Sequence, residues 1–419
     1  MVFIYDILFI LFSLLYLPYL LLKRKWHAKM GMRFGFFKKE ALGLADKKRV
    51  WIHAVSVGEV MVIRNLIKKI KTAYPTYQIV VSVVTPTGFE LAKTVMSDGD
   101  TVIFAPVDLS FAVRKYVRLI DPVLYLNAET ELWPNFLTAL HARNIPIIQV
   151  NGRISDSAFK GYKFFRFFFK RILSYVTYFC MQGELDKKRI EAMGAPEEKV
   201  YAVGNMKFDD VSTADVHGLP PVLTHSNETI FIAGSTHPGE EEIILDVARS
   251  IERQFPYLRL ILAPRHPERA SEIMRLCTQK GFTAVKFSQI KDVLNEEVVV
   301  VDTIGHLRSL FSLGDVVFLG KSLTVKGGHN IVEPGCFGKP IVIGPFMENF
   351  RDITKIFLEN DAVIQVKDKS ELQTAVVRLL QDKALRARLG NNARNAVEKY
   401  RGATEKTFEV VSSVLGRAA

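Results

Sequence analysis

Two successive series of short apolar runs, spaced by helix-length stretches, dominate this chain. The first series lies at 50–55, 78–84, 101–105, 122–126, 145–150 and 176–181. The second lies at 229–234, 258–263, 298–302, 315–319 and 340–344. Continuous apolar runs of this length read as strands buried on both faces. Their alternation with helical stretches points to parallel sheets joined by crossover helices. Asp209 to Asn227 separates the series; it holds Pro220-Pro221, lacks periodicity and reads as a linker. The pattern therefore predicts an α/β chain of two Rossmann-like, doubly wound domains facing across a cleft. Their ligand loops would lie at the carboxyl ends of the strands. The expected boundaries are 26–208 for the first domain, 209–228 for the linker and 229–419 for the second. A length of 419 residues suits two domains.

The N-terminus carries a different signal. Val2 to Leu22 is almost wholly apolar, broken by Asp6 and Pro18, and is about long enough to span a bilayer. Lys23, Arg24 and Lys25 follow at once. Residues 1–25 are expected to anchor the chain, with the rest on the cytoplasmic side; a helix lying in the interface is the other reading. The net charge of +12 calls for an anionic partner. An acidic membrane surface or a phosphorylated substrate would serve. Nucleic acid is not expected, because no recognisable binding module is present. Phe159 to Ile172 reads FKGYKFFRFFFKRI. On one continuous helix, Lys160, Lys163, Arg166, Lys170 and Arg171 share an arc of roughly 140°. Tyr162, Phe164, Phe165, Phe168 and Phe169 would lie opposite. Such a helix either meets anionic headgroups or is an ordinary surface helix with a solvated basic face. Three cysteines without CxxC spacing suggest a reducing compartment and no zinc site.

Candidate chemistry sits in the turns after the strands. His53-Ala54-Val55-Ser56-Val57-Gly58-Glu59 ends a strand and opens a helix running to about Ala73. Glu59 is thereby placed at the ligand-binding edge of a parallel sheet. Its spacing from Ser56 also fits a capping box, in which both side chains only satisfy backbone donors. The residues alone leave both roles open. Asn127 to Asn135 puts Glu129 and Glu131 in a turn beside Trp133-Pro134. Two acids there can orient a sugar or tune a neighbouring base. Asn205-Met206-Lys207-Phe208-Asp209 closes the first domain with a lysine able to neutralise a leaving phosphate. A solvated lysine is the commoner case.

In the second domain, Gly234 to Glu240, including Ser235 and Thr236, opens a helix whose amides suit a phosphate or carboxylate. Pro264-Arg265 also follows a strand, and Arg265 is placed for bidentate contact with an anion. Lys326 to Gly335 is a Gly-rich loop running into a helix, where Glu333 can accept two ribose hydroxyls. Three such loops in one βα domain favour a nucleotide site. Asp98-Gly99-Asp100 matches the DxD of metal-dependent sugar transferases but reads better as a turn. No His pair or Glu-x-x-His cluster suggests another metal site, so neither metal nor cofactor is expected.

Taken together, HAVSVGEV, NAETELWPN, NGRISDSAF, GNMKFD, GSTHPGEEE, APRHPER and GGHNIVEPG resemble the Kdo (3-deoxy-D-manno-octulosonic acid) transferases of lipopolysaccharide synthesis. The motifs are long, collinear and spread over nearly the whole chain. The resemblance implies a GT-B fold and inverting transfer of Kdo from CMP-Kdo, without a metal in the site. The implied acceptor is a lipid A precursor, the tetraacyldisaccharide 4'-phosphate or lipid IVA, at the cytoplasmic face of the inner membrane. By motif, Glu59 matches the proton acceptor, and Glu129 and Lys207 match groups that stabilise the transition state. Pro264 and Arg265 match one CMP contact; Asn330, Ile331, Val332 and Glu333 match another. A third CMP contact of the family lies in a T-x-G-E-L segment. Here it is Thr303-Ile304-Gly305-His306-Leu307, and His306 replaces the acid. Backbone contacts at Ile304 and Gly305 can persist, while the role of the side chain does not carry over. A transferase using another nucleotide sugar is one alternative. An anchored binding protein without turnover is another, against which intact Glu59, Lys207 and Arg265 speak.

Overall fold

Val50, Trp51 and Ile52 show why the first series makes a parallel sheet: all three are fully buried. Val50 and Ile52 join the core on one face of the sheet. Trp51, pointing the other way, joins the core on the opposite face. A strand buried on both faces needs helices on both sides. The computed structural model describes residues 5–11, 13, 30–37, 39–211, 219–223, 228–291 and 294–418. The chain forms two units, Met1–Asp210 with Arg401–Ala419, and Val211–Tyr400.

The first unit is built on β1 (Arg49–His53), β2 (Gln78–Val83), β3 (Thr101–Phe104), β4 (Leu124–Ala128), β5 (Ile147–Gly152), β6 (Tyr178–Met181) and β7 (Val200–Ala202). Their order in the sheet is β3-β2-β1-β4-β5-β6-β7, parallel throughout. The direction of winding reverses between β1 and β4, which is where such sheets bind ligands. The second unit holds β8 (Thr229–Thr236), β9 (Leu258–Pro264), β10 (Ala284–Lys286), β11 (Val298–Val300), β12 (Val316–Leu319), β13 (Ile341–Ile343) and β14 (Ile364–Gln365). Their order is β10-β11-β9-β8-β12-β13-β14, again parallel, with the switch between β8 and β12. Every predicted apolar run is a strand. The three strands that the sequence did not show, β7, β10 and β14, are two or three residues long and lie at sheet edges. Strands of two or three residues are too short to stand out as apolar runs.

Two expectations need correction. Residues 229–419 do not form one domain, because Arg401–Ala419 groups with the first unit. The helix Ala403–Ala418 sends Ala403, Val411, Val414 and Leu415 into the same core as Val60, Ile63 and Ile67. Its start is held by Asp209, whose carboxylate accepts the Gly402 amide at 2.7 Å and the Thr404 amide at 2.6 Å. Asp209 is therefore a helix cap rather than linker. Asp209→Ala is expected to cost about 1–2 kcal/mol, in the range of lost caps. The measurement is the urea midpoint of unfolding; an unchanged midpoint would mean that the helix docks through its apolar face alone.

The second correction concerns the basic stretch. It is two helices, Asp156–Phe164 and Arg166–Leu173, separated at Phe165 (φ −96°, ψ 29°). One continuous arc of charge therefore does not exist. Tyr162, Phe168 and Phe169 pack against the core as expected. Phe165 instead points to solvent, and Phe167 is 94 % exposed. Lys160, Arg166, Lys170 and Arg171 are exposed beside them, and the Lys163 side chain lies outside the described ones. The result is a mixed aromatic and basic surface.

The expected N-terminal anchor falls largely outside the described residues. Residues 1–4, 12 and 14–29 lie outside the described residues, and among the described residues no helix is long and apolar enough to cross a membrane. The described Asp6 carboxylate accepts from the Asn135 amide group at 2.7 Å and the Ser110 amide at 3.1 Å.

Candidate functional site

In the first unit, β1 and β4 deliver their carboxylates to the same switch point. Glu59 sits in the first turn of the helix Val57–Ala73 and is buried. Its Oε2 accepts the Val55 amide at 2.7 Å, and its Oε1 accepts the Ser56 hydroxyl at 2.9 Å. A regular capping box would have Ser56 accept from the helix and Glu59 reach the Ser56 amide. Here Ser56 makes no cap bond and Glu59 reaches one residue further back. The carboxylate is thus fixed in place by two donors. Burial pushes the Glu59 carboxyl up to about 7, the charge of Glu129 adds to this, and the Val55 amide opposes it. A carboxyl near 7 exchanges protons at working pH, which a general base requires.

Glu129 follows β4 in the left-handed region, at φ 54°. Its amide donates to the Val150 carbonyl at 3.0 Å, and its carbonyl accepts from the Gln149 side chain. These bonds hold a conformation that L-residues seldom adopt and aim the side chain at Lys207. Lys207 Nζ donates to Glu129 Oε1 at 3.3 Å. Lys207 rides on the short 3-10 helix Met206–Phe208, whose cap Asn205 accepts the Lys207 amide at 3.0 Å. Asn205 in turn donates to Gln182 at 2.9 Å, and the Met206 amide donates to Asn151 at 2.9 Å. The structure therefore brings Glu129 and Lys207 together and sets the Glu129 charge within reach of Glu59. Glu131 takes another role: its Oε2 accepts the Trp133 indole at 2.6 Å, and burial raises its pKa. Trp133 packs edge-on to His53, 4.7 Å between ring centres. His53 is buried, bonded to Ser82 at 2.9 Å and pushed down to about 3 by burial, so it is neutral. Asp100 of the DxD match serves the fold, its Oδ1 accepting the Ile79 amide and Lys71 Nζ, both at 2.9 Å.

In the second unit, loops after β8, β9 and β12 converge at the other switch point. Arg265 and His266 follow β9 and are exposed; Pro264 ends the strand and is buried. Asn330 lies just before the short helix Val332–Cys336, its Oδ1 accepting the Val332 amide at 3.2 Å. Ile331 and Val332 are core residues, so only their backbone can serve a ligand, while Glu333 is half-buried. After β11, Ile304 and Gly305 are exposed, and His306 is held by Thr303 at 2.9 Å against Phe287. Ser235 is half-buried with φ 55°. Thr236 is fully buried, and its hydroxyl is committed to Glu241 at 2.9 Å. It is not available to a ligand.

The helix Glu240–Ile251 was expected to receive an anion, but its first turn is Glu240, Glu241 and Glu242. An acidic first turn already satisfies the helix dipole. Glu240, which sequence reasoning passed over, is the organiser of this region. Fully buried, it accepts the amides of His237 (2.9 Å), Lys321 (2.7 Å), Ser322 (3.0 Å) and Leu323 (3.0 Å). One carboxylate thus ties the loop after β8 to the loop after β12. Gly327 and Gly328 (φ 132° and 73°) then turn the β12 loop back, which brings His329 to His237. A side chain at Gly328 would strike Met347.

Residues 28–210 match a family described as 3-deoxy-D-manno-octulosonic-acid transferase (kdotransferase). The 3-deoxy-D-manno-octulosonic acid transferase of Haemophilus influenzae is 32 % identical over 400 residues, 94 % of this chain and 93 % of that one. That of Chlamydophila psittaci is 29 % identical, covering 97 % of this chain and 95 % of its own length. Among solved structures, the UDP-GlcNAc 2-epimerase from Neisseria meningitidis bound to UDP-GlcNAc aligns over 88 % of this chain and 100 % of its own. Its TM-score is 0.58 at 11 % identity, a likeness of fold alone. Similarity to a named transferase over nearly the whole chain, at 32 % identity, and the family match lead to one conclusion: the chain belongs to the 3-deoxy-D-manno-octulosonic acid transferases, a family of glycosyltransferases.

Proposed function

We propose that this enzyme transfers Kdo from CMP-Kdo to a hydroxyl of a lipid A precursor such as lipid IVA, with inversion at the anomeric carbon. The observation that carries the reading is the buried Glu59 carboxylate, fixed by two donors and held near 7. An acceptor hydroxyl must lose its proton as it attacks C2 of the sugar, and a positioned carboxylate can take it. The phosphate of CMP departs with increased charge, which cationic side chains stabilise. Arg265 in the second unit and Lys207 in the first are the candidates for that role. Pro264, Arg265, Ile304, Gly305, His306 and Asn330 to Glu333 are proposed to contact CMP, with Ser235 beside them. The test is product mass after incubating lipid IVA with CMP-Kdo or with UDP-sugars in turn. A mass gain of one or more Kdo units from CMP-Kdo alone is expected; transfer only from a UDP-sugar would overturn the donor assignment.

We further propose that the chain works on the inner membrane, at its cytoplasmic face, where such an acceptor lies. The apolar stretch at 2–22 and the exposed Phe165 and Phe167 beside Lys160, Arg166, Lys170 and Arg171 support this. Each basic residue near an anionic leaflet contributes about 1 kcal/mol, and the attraction is screened by salt. Protein lacking residues 1–22 is expected to sediment with acidic vesicles at low salt and leave them at high salt. Loss of binding at every salt concentration would confine membrane attachment to the N-terminal stretch.

A further inference from the structure

The second unit holds a pair of histidines that the reaction outlined above does not use. His237 follows β8 and His329 follows β12, and their Nε2 atoms lie 3.3 Å apart. The rings stack at 5.5 Å with 26° between planes, and His266 stands 6.1 Å from His237. Two nitrogens at that distance share one hydrogen, so one ring donates and the other accepts.

The surroundings are unusual for such a pair. Arg265 and His266 face it from the loop after β9, and Lys321 from the loop after β12. The acids on the neighbouring helix are committed elsewhere. Glu240 accepts four backbone amides, and Glu241 accepts Thr236 and the Arg269 guanidinium at 2.7 Å. The charge of Glu241 opposes that of Lys321, His266 and Arg265 at His237, and around His329 the positive charges of Arg265 and Lys321 prevail. Burial first, then the charge of Arg265, pushes His329 down to about 3; burial and Lys321 lower His237. At neutral pH both rings are uncharged.

We propose that His237 and His329 act as one unit of the donor site and take up a proton from water when a phosphate binds. The added proton goes to Nδ1 of the ring that donates across the contact, leaving an imidazolium hydrogen-bonded to an imidazole. A bound phosphate cancels the repulsion from Arg265 and Lys321, and it gains a charged partner in return. The pair then supplies positive charge where a nucleoside phosphate carries its negative charge. The inference rests on the reading that this unit binds the CMP moiety, and it adds residues which that reading does not include.

The test is titration calorimetry of CMP at about pH 7.5, above the phosphate pKa of about 6, in two buffers of different ionisation enthalpy. Uptake of about one proton per CMP is expected from linkage, and none with cytidine, which lacks the phosphate. His329→Asn and His237→Asn should each abolish the uptake and weaken CMP roughly tenfold, the loss of one charge-assisted hydrogen bond. The double variant should be no worse than either single one. Circular dichroism checks the fold of each, and the half-exposed His237 serves if the His329 variant unfolds. CMP binding without proton uptake, or uptake that persists in a folded variant, overturns the inference while the donor assignment stands. No CMP binding to the unaltered protein overturns both.

Discussion

Glu59→Gln should lower Kdo transfer by about 10²–10⁴-fold, the usual contribution of a positioned base, while the protein stays folded. The amide keeps an oxygen for the Val55 N–H and presents its NH₂ to the Ser56 hydroxyl, which can accept. Stability should hold or rise, because a buried ionisable group is gone. Its folded pKa of about 7 lies above the usual carboxyl value of 4.5. A group raised on folding favours the native state below its unfolded pKa, and that contribution is lost as pH rises from 4.5 through about 7. Activity runs the opposite way, since only the carboxylate accepts a proton. Turnover of the unaltered enzyme should fall as pH drops below about 7, and Glu129→Gln, by removing a neighbouring negative charge, should move that limb to lower pH. Full rate with a lowered melting temperature in Glu59→Gln would reduce this residue to a helix cap.

Lys207→Met should cost about 10²–10³-fold in kcat, comparable to losing one preorganised donor at a developing charge. The ion pair complicates the reading, because Lys207 and Glu129 are both largely buried, with side chains 16 % and 19 % exposed. Removing one partner of such a pair strands the other charge and destabilises the fold. The double variant Lys207→Met/Glu129→Gln separates the effects. It should recover stability, measured as the urea midpoint, and remain as slow as the single variant or slower. If activity returns with stability, Lys207 only neutralises Glu129 within the first unit.

The sheets were legible because their central strands are buried on both faces and advertise this as continuous apolar runs. β7, β10 and β14 were not, since strands of two or three residues carry no such signature. Glu59 and Glu129 could be placed after the correct strands from strand ends alone, whereas Lys207 follows β7, which the sequence did not show. Their contacts could not, because the positive φ of Glu129 depends on bonds to β5 and its neighbours, far away in sequence. The 159–172 stretch misled for a related reason. A helical wheel assumes one axis, and the turn at Phe165 gives this stretch two. Glu240 and the histidine pair were invisible for want of geometry: Glu240 lies 81 residues from Lys321, and His237 lies 92 from His329. The return of Arg401–Ala419 to the first unit had no local mark beyond an amphipathic helix that could have covered either sheet.

That returning helix sets an order of events during synthesis. All seven strands of the first sheet leave the ribosome before any strand of the second. Yet the core around Val60, Ile63 and Ile67 stays open until Val411, Val414 and Leu415 emerge. The unit that is begun first is closed last. The whole of Val211–Tyr400 must be made in the interval, as an insertion into a fold still waiting for its final helix.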